Sequence, residues 1–288
     1  DSRRANEAVL VLTALEIEFD RVRHADGWQL SVAASDAARA SEEIAAFDEE
    51  RHAPPVGRRP IEEISSGWYG VGVYVGLLLV FAILQSQDAF GVNWARAGLL
   101  DAGRVVDGEW WRAVTALTLH ADFGHLVSNI AFGSFFGLYV GRYLGSGIGW
   151  GAILAGGVIG NVVNAWIQPP SHLAIGASTA VFAALGMLGA YTWRKGFIRD
   201  TPWRDRLAPV TAAIFLLAFT GTGTGTASDN VDIMAHLTGF VSGFAIGVWL
   251  AASRIPQGIK AQQFGAVVAG GVLFAVWVAA IGVDAIER

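Results

Sequence analysis

Hydrophobic and polar positions change their rhythm near residue 60. Before it, apolar residues recur at helical spacing over 5–15, and Ile17, Phe19 and Val22 then alternate up to an Asp26-Gly27 turn. Trp28, Leu30 and Val32 follow at the two-residue period of a strand, and Ser35-Asp36 is placed to cap a helix running through Ile44 and Phe47. The pattern predicts a small α-β-β-α module over residues 1–60, ending in a linker marked by Pro54, Pro55, Gly57 and Pro60. It carries no clustered histidine or glutamate and no glycine-rich loop, and reads as a cytosolic accessory or regulatory domain. Beyond it come seven apolar segments, at 68–87, 122–140, 146–167, 177–192, 207–220, 233–252 and 264–282. Each approaches the roughly 20 residues that cross about 30 Å of hydrocarbon as a helix, the fourth and fifth being shorter. The expected architecture is an all-α polytopic membrane bundle with a small N-terminal α+β soluble domain. Residues 61–255 form a six-span core in this reading, and 256–288 a seventh span with a short external tail.

Composition sharpens this picture. The 288 residues are 53% hydrophobic and only 16% charged. From residue 143 to 193 there is no Asp, Glu, Lys or Arg. An ionised side chain at a bilayer centre costs about 2.5–3.5 kcal/mol on insertion scales, so such a run is what membrane spans require. There is no cysteine, which excludes disulfides, thiol catalysis and cysteine-ligated metal. The net charge of -5, with its acids mainly at the N-terminal end, gives no footprint for nucleic acid. Asp1 rather than Met opens the chain and no signal-peptide pattern follows it, so the true start is expected upstream. Arginine-over-lysine, alanine-rich usage suggests a bacterial source, hence a plasma membrane.

Arginine and lysine give an orientation. Arg51, Arg58 and Arg59 precede the first span, Arg142 follows the second, and Arg194, Lys195, Arg199, Arg204 and Arg206 follow the fourth. Arg254 and Lys260 follow the sixth. The loops after the third and fifth spans have none, so the positive-inside rule puts the N-terminus in the cytoplasm. Arg96, Arg104 and Arg112 dissent, but they lie in a long loop, where the rule weighs less. Spans two, four and six then all start at the external face. Their first turns carry His125 and Asn129, Ser178, and His236, so polar groups remote in sequence are expected in one layer of the membrane.

Polar side chains inside a membrane are costly and face a cavity or a partner, which makes these residues functional candidates. Ser178 opens a helix just after Gly176, beside free backbone N–H groups and the positive end of the helix dipole, an environment suited to an oxyanion. Gly239 and Gly243 share nearly one helical face with His236, and small residues four apart let helices approach closely. That approach is what brings a serine within hydrogen-bond reach of an activating imidazole. His125 and Asn129, four apart on one face, are candidate side-chain donors to a tetrahedral intermediate.

The run His120-Ala121-Asp122-Phe123-Gly124-His125-Leu126-Val127-Ser128-Asn129, with Gly176-Ala177-Ser178, Ala235-His236 with Gly239 and Gly243, and Trp111-Arg112, resembles the rhomboid family of intramembrane serine proteases. The resemblance covers residues 68–252 and implies a rhomboid-like six-helix core. It implies a Ser-His dyad without a carboxylate, Ser178 as nucleophile and His236 as general base and then acid. His125, Asn129 and the Ser178 backbone N–H would form the oxyanion hole, and His120 would order the start of the second span. Trp110, Trp111 and Arg112 would anchor their loop at the membrane interface. No cofactor or metal is implied. The substrates implied are single-span or polytopic membrane proteins, cut near the external face by an integral membrane enzyme. The sequence departs from the family at Thr179, where glycine usually follows the nucleophile.

Two other readings stay open. One is a channel or metal transporter using His120, Asp122, His125, His172, Asp232 and His236. Against it, the two nearby histidines are five apart and share no helical face, and no ladder of carboxylates lines the spans. The other is a non-catalytic rhomboid relative that binds membrane clients, kept open by Thr179. The Gly-Thr run at 221–226 lacks the Gly-Lys-Ser/Thr of a nucleotide cradle and reads as a mobile loop over the site. Asn161 and Asn164 read as helix-helix contacts, and Asp229 and Asp232 as solvated loop residues or caps of the sixth span.

Overall fold

The computed structural model describes residues 2–24, 27–52, 62–195, 232–254 and 258–286, with isolated positions between 207 and 218. Most of the expected fifth span, the 221–226 run, Asp229, the proline linker and Arg199, Arg204 and Arg206 lie outside the described residues. The chain divides into two compact units, Asp1–Arg58 and Arg59–Arg288.

In the first unit α1 (Ser2–Ala14) is followed by an antiparallel hairpin, β1 (Phe19–His24) and β2 (Gly27–Val32), and by α2 (Ala37–His52). Leu12, Ile17 and Ala40 are buried at its centre against Phe19, Leu30, Val32 and Ile44. Val22 does not join them. The strand's two-residue period gives the face shared with Phe19 to Arg21, which stacks 4.0 Å over Trp28 and donates to Asn6 at 2.8 Å.

Five helices of the second unit are long and apolar enough to cross a membrane, counting among the described residues. They are α3 (Trp68–Ser86), α7 (Phe123–Leu144), α8 (Ser146–Ile167), α10 (Ile233–Ala252) and α11 (Ile259–Ile286). A sixth long helix, α9 (Ser178–Lys195), is packed among α7, α8 and α10. The main core lies among these four, where Leu117, Phe136, Val140, Phe182, Met187 and Phe240 are buried together. The chain is a helical membrane bundle with a small soluble domain. α7 and α8 are joined by Gly145 alone, whose φ of 83° turns the chain back in one residue.

Between α3 and α7 the chain folds into short pieces that the hydrophobic pattern does not foretell: α4 (Trp94–Gly98), β3 (Leu100–Asp101), α5 (Ala102–Val106) and α6 (Arg112–Thr115). Asn93 and Asp101 cap two of them through side-chain oxygens, on the Arg96 and Arg104 N–H groups. β3 pairs with β4 (Leu173–Ala174), tying this region to the segment that leads into α9. Arg112 is not an interfacial anchor. At 4% exposure it donates to the carbonyls of Arg96 and Leu99 and pairs with Glu109, so the guanidinium holds the loop together from within. Trp110, by contrast, is exposed.

The seventh span, α11, is held at both ends. Near its start the Gln262 side chain accepts from the Gly147 and Ile148 N–H groups, each at 3.0 Å, and donates to the Leu144 carbonyl, satisfying groups left open at the α7–α8 turn. Near its end Trp277 stacks with Phe81 and packs tilted against Trp94, and buried Asp284 pairs with Arg96 at 2.7 Å. The helix runs past the expected 264–282 because these polar residues find partners inside the protein.

α9 and α10 approach each other backbone to backbone. Gly239 lies against Thr179, Gly243 against the Ala183 carbonyl and Gly247 against Met187, while Gly186 of α9 meets the Phe240 backbone. A methyl at Gly243 would run into Ala183, so Gly243→Ala should cost about 1–3 kcal/mol. Thermal unfolding in detergent would read this as a lower midpoint, and an unchanged midpoint would contradict the packing described.

Candidate active site

Three helix starts meet at one end of the bundle. α7 begins at the Asp122 cap, whose Oδ1 accepts the His125 N–H at 2.8 Å. This sets the register that puts His125 and Asn129 one turn apart on one face. α9 begins at Ser178, and α10 at the Asp232 cap, four residues before His236.

Gly176 is where α7 and α9 converge. Its φ of 129° strains any other residue, and a Cβ there would lie 2.5 Å from His125 Cε1, 2.6 Å from Nε2 and 3.6 Å from Asn129 Nδ2. Both α7 side chains therefore rest against the backbone two residues before Ser178. Asn129 is buried, and its Nδ2 has no hydrogen-bond acceptor among the described residues. A buried amide donor without an acceptor costs about 1–3 kcal/mol. The Gly176 N–H donates to the Ala116 carbonyl at 2.9 Å, which fixes the approach to the helix start.

His236 is buried, and its ring lies 4.3 Å from that of Phe182, tilted by 33°. Phe182 is one turn along α9 from Ser178, so the imidazole packs on the face of α9 that the serine opens. Thr179 is buried as well. Its Cγ2 sits 2.9 Å from where a Cβ on Gly239 would be and 2.8 Å from where one on Gly160 would be, so two glycines make room for its methyl. The spacing of α9 and α10 absorbs this departure.

Supporting residues that the sequence pattern missed surround the site. Tyr74 of α3 donates to the Asn129 carbonyl at 2.7 Å, in space left open by Gly133. Gln85 clamps the His120 backbone, accepting its N–H at 3.1 Å and donating to its carbonyl at 2.9 Å. The His120 ring meets His125 edge-on at 5.2 Å. Trp111 lies among the Trp94–Trp277 aromatics, further back in the loop.

Asp232 is more than a solvated cap. One carboxylate oxygen accepts the Ala235 N–H at 2.9 Å, and the other accepts from Asn164 Nδ2 and faces His172 Nε2, both at 2.7 Å. Burial pushes this carboxyl up, but the Ala235, His172 and Asn164 hydrogen bonds together with the His172 charge outweigh it and hold it below its ordinary value. No three His, Asp or Glu side chains gather to hold a metal ion among the described residues.

Residues 107–253 match the family described as Rhomboid domain. The chain is 32% identical over 143 residues to the putative rhomboid protease YdcA of Bacillus subtilis (strain 168), covering 49% of this chain and 68% of that one. It is 31% identical over 147 residues to rhomboid-like protease 1 of Toxoplasma gondii, covering 50% and 48%. It is also 31% identical over 149 residues to rhomboid protease GluP of Bacillus subtilis (strain 168), covering 51% and 27%. The family match takes in α7 to α10 and leaves out the N-terminal unit and α11.

Thr179→Gly, which restores the usual family residue, should lower stability by about 2 kcal/mol, since it empties the space between α8, α9 and α10 and adds a helical glycine. A melting midpoint at or above wild type would contradict this. Because the Asp232 carboxyl is held low, its stabilising contacts are complete above the ordinary carboxylate range and are lost as pH falls through its lowered value. The gap in midpoint between wild type and Asp232→Asn should therefore narrow on acidification, whereas a gap constant with pH would refute the assignment.

Proposed function

The chain belongs to the rhomboid family, and on that premise we propose that it is an intramembrane serine protease acting through Ser178 and His236. The observation that carries this reading is the convergence of His125 and Asn129 on Gly176, two residues before a serine at the start of α9, with His236 of α10 packed against Phe182 one turn along α9.

In this reading the Ser178 hydroxyl attacks a substrate carbonyl while His236 takes its proton. The proton passes to the leaving amine as the peptide bond breaks, and water, activated by the same imidazole, hydrolyses the acyl-enzyme. Charge on the tetrahedral oxygen is met by the Asn129 amide, the His125 ring and the Ser178 backbone N–H, each donor typically contributing about 2.7–4 kcal/mol in the transition state. No cofactor is needed, because charge develops on one oxygen and one ring.

The substrate is a membrane protein whose helix unwinds near the external face, since a serine attacks only a carbonyl freed from its helical hydrogen bond. The positive-inside pattern supports a cytoplasmic N-terminus and an externally facing site. The snug fit of Thr179 supports a catalytic rather than a client-binding role.

The test is cleavage of a tagged single-span substrate in proteoliposomes. Ser178→Ala and His236→Ala should each lower turnover by about 10³-fold or more, and both should abolish labelling by a fluorophosphonate probe. Cleavage by Ser178→Ala at the wild-type rate would refute the reading, as would a wild type that cuts soluble unfolded chains but no membrane-embedded helix.

A further inference from the structure

The glycine contacts between α9 and α10 bring the helices together, with the Thr179 methyl seated beside Gly239. A serine and an imidazole on facing helices need their heights matched as well as their separation, because a misplacement of about 1 Å can cost about 100-fold in rate. A polar contact at the end of the α9–α10 seam adds a second constraint on that height.

Asp232 has the contacts to do so. It belongs to the first turn of α10, where its side chain caps Ala235 and its carbonyl accepts the His236 N–H at 3.1 Å. Its second carboxylate oxygen leaves the helix altogether and binds two other elements. Asn164, fully buried on α8, donates to it, and α8 is itself pinned one turn earlier by Asn161 on the Ala113 carbonyl at 2.8 Å. His172 stands on the turn after α8, held by its own N–H on the Pro169 carbonyl and by the Ala102 N–H on its carbonyl. From His172 the chain runs directly through β4 and Gly176 to Ser178. The carboxylate thus joins the helix carrying the histidine to the segment that delivers the serine, at the end of the seam where both lie.

We propose that Asp232, through His172 and Asn164, is a positioning residue that fixes the axial register of His236 against Ser178. The proposal rests on the dyad reading above. Neither His172 nor Asp232 touches the reacting atoms in this account. Their effect is on how often the two catalytic side chains stand at the same height, which governs turnover and serine reactivity and leaves substrate binding unchanged.

The test uses the full chain in proteoliposomes, with kcat, KM, fluorophosphonate labelling rate and melting midpoint measured for His172→Ala, His172→Gln and Asp232→Asn. His172→Ala should lower kcat about tenfold and slow labelling by the same factor, with KM changed less than about twofold. His172→Gln, whose amide donates to the same carboxylate, should recover most of that loss, which a merely structural cavity effect would not show. Should His172→Ala fail to fold, Asp232→Asn keeps an acceptor for the Ala235 N–H and reads the same link. An active wild type with unchanged kcat in both variants overturns the positioning role alone. So does a loss that follows the melting midpoint and is not recovered by glutamine. A wild type that neither cuts nor labels overturns the dyad reading and this proposal together.

Discussion

The structure depends on the contact between α9 and α10, where backbone meets backbone along a row of glycines. In hydrocarbon there is no hydrophobic gain from bringing two apolar helices together, so association rests on close van der Waals packing. Gly239, Gly243 and Gly247 supply it from one side and Gly186 from the other. Because α9 is enclosed by α7, α8 and α10, it is the central helix of the bundle, and its first turn lies among theirs.

The cost of polar groups in such a place is met locally, and the pattern of compensation describes the site. Tyr74 and Gln85 from α3 fix the backbone around Asn129 and His120, Arg112 gathers the carbonyls of the loop before α7, and Asp232 collects α8, α10 and the turn at His172. The seventh span adds Gln262 at the α7–α8 turn and Asp284 on Arg96. These contacts hold neighbouring elements in place around the bundle's end. Asn129 Nδ2, beside Gly176, is one of several buried side-chain atoms without a partner among the described residues, as are both ring nitrogens of His120, Trp111 Nε1 and Asn164 Oδ1.

Much of this was legible in the residues, and what was not has a common cause. Helical spans follow from apolar length, and those at 146–167 and 233–252 coincide with α8 and α10. Counting spans predicts that Ser178 opens a helix and that His125 and His236 lie in first turns, and the elements have these positions; Gly239 and Gly243 lie along the α9–α10 contact. Hidden from that reading were contacts between residues far apart in the chain: β3 with β4, Tyr74 with Asn129, Asp232 with Asn164 and His172. Local periodicity carries no information about partners half a chain away. The same holds for α11, which extends past 264–282 to include Gln262 and Asp284, whose partners lie at the α7–α8 turn and on α4. Thr179 is the instructive case. It departs from the family's usual glycine, and its methyl fills the room left by Gly160 and Gly239.

The central claim is that Ser178 and His236 form one catalytic unit with the α7 donors opposite them. An experimental structure of the lipid-embedded chain, reacted with a small fluorophosphonate, addresses it most directly. The account predicts the phosphorus bonded to Ser178 Oγ, His236 Nε2 within about 3 Å of that oxygen, and the phosphoryl oxygen directed at Asn129 Nδ2 and His125. An adduct on another residue, or a phosphoryl oxygen turned away from α7 with the imidazole out of reach of Ser178, would contradict it.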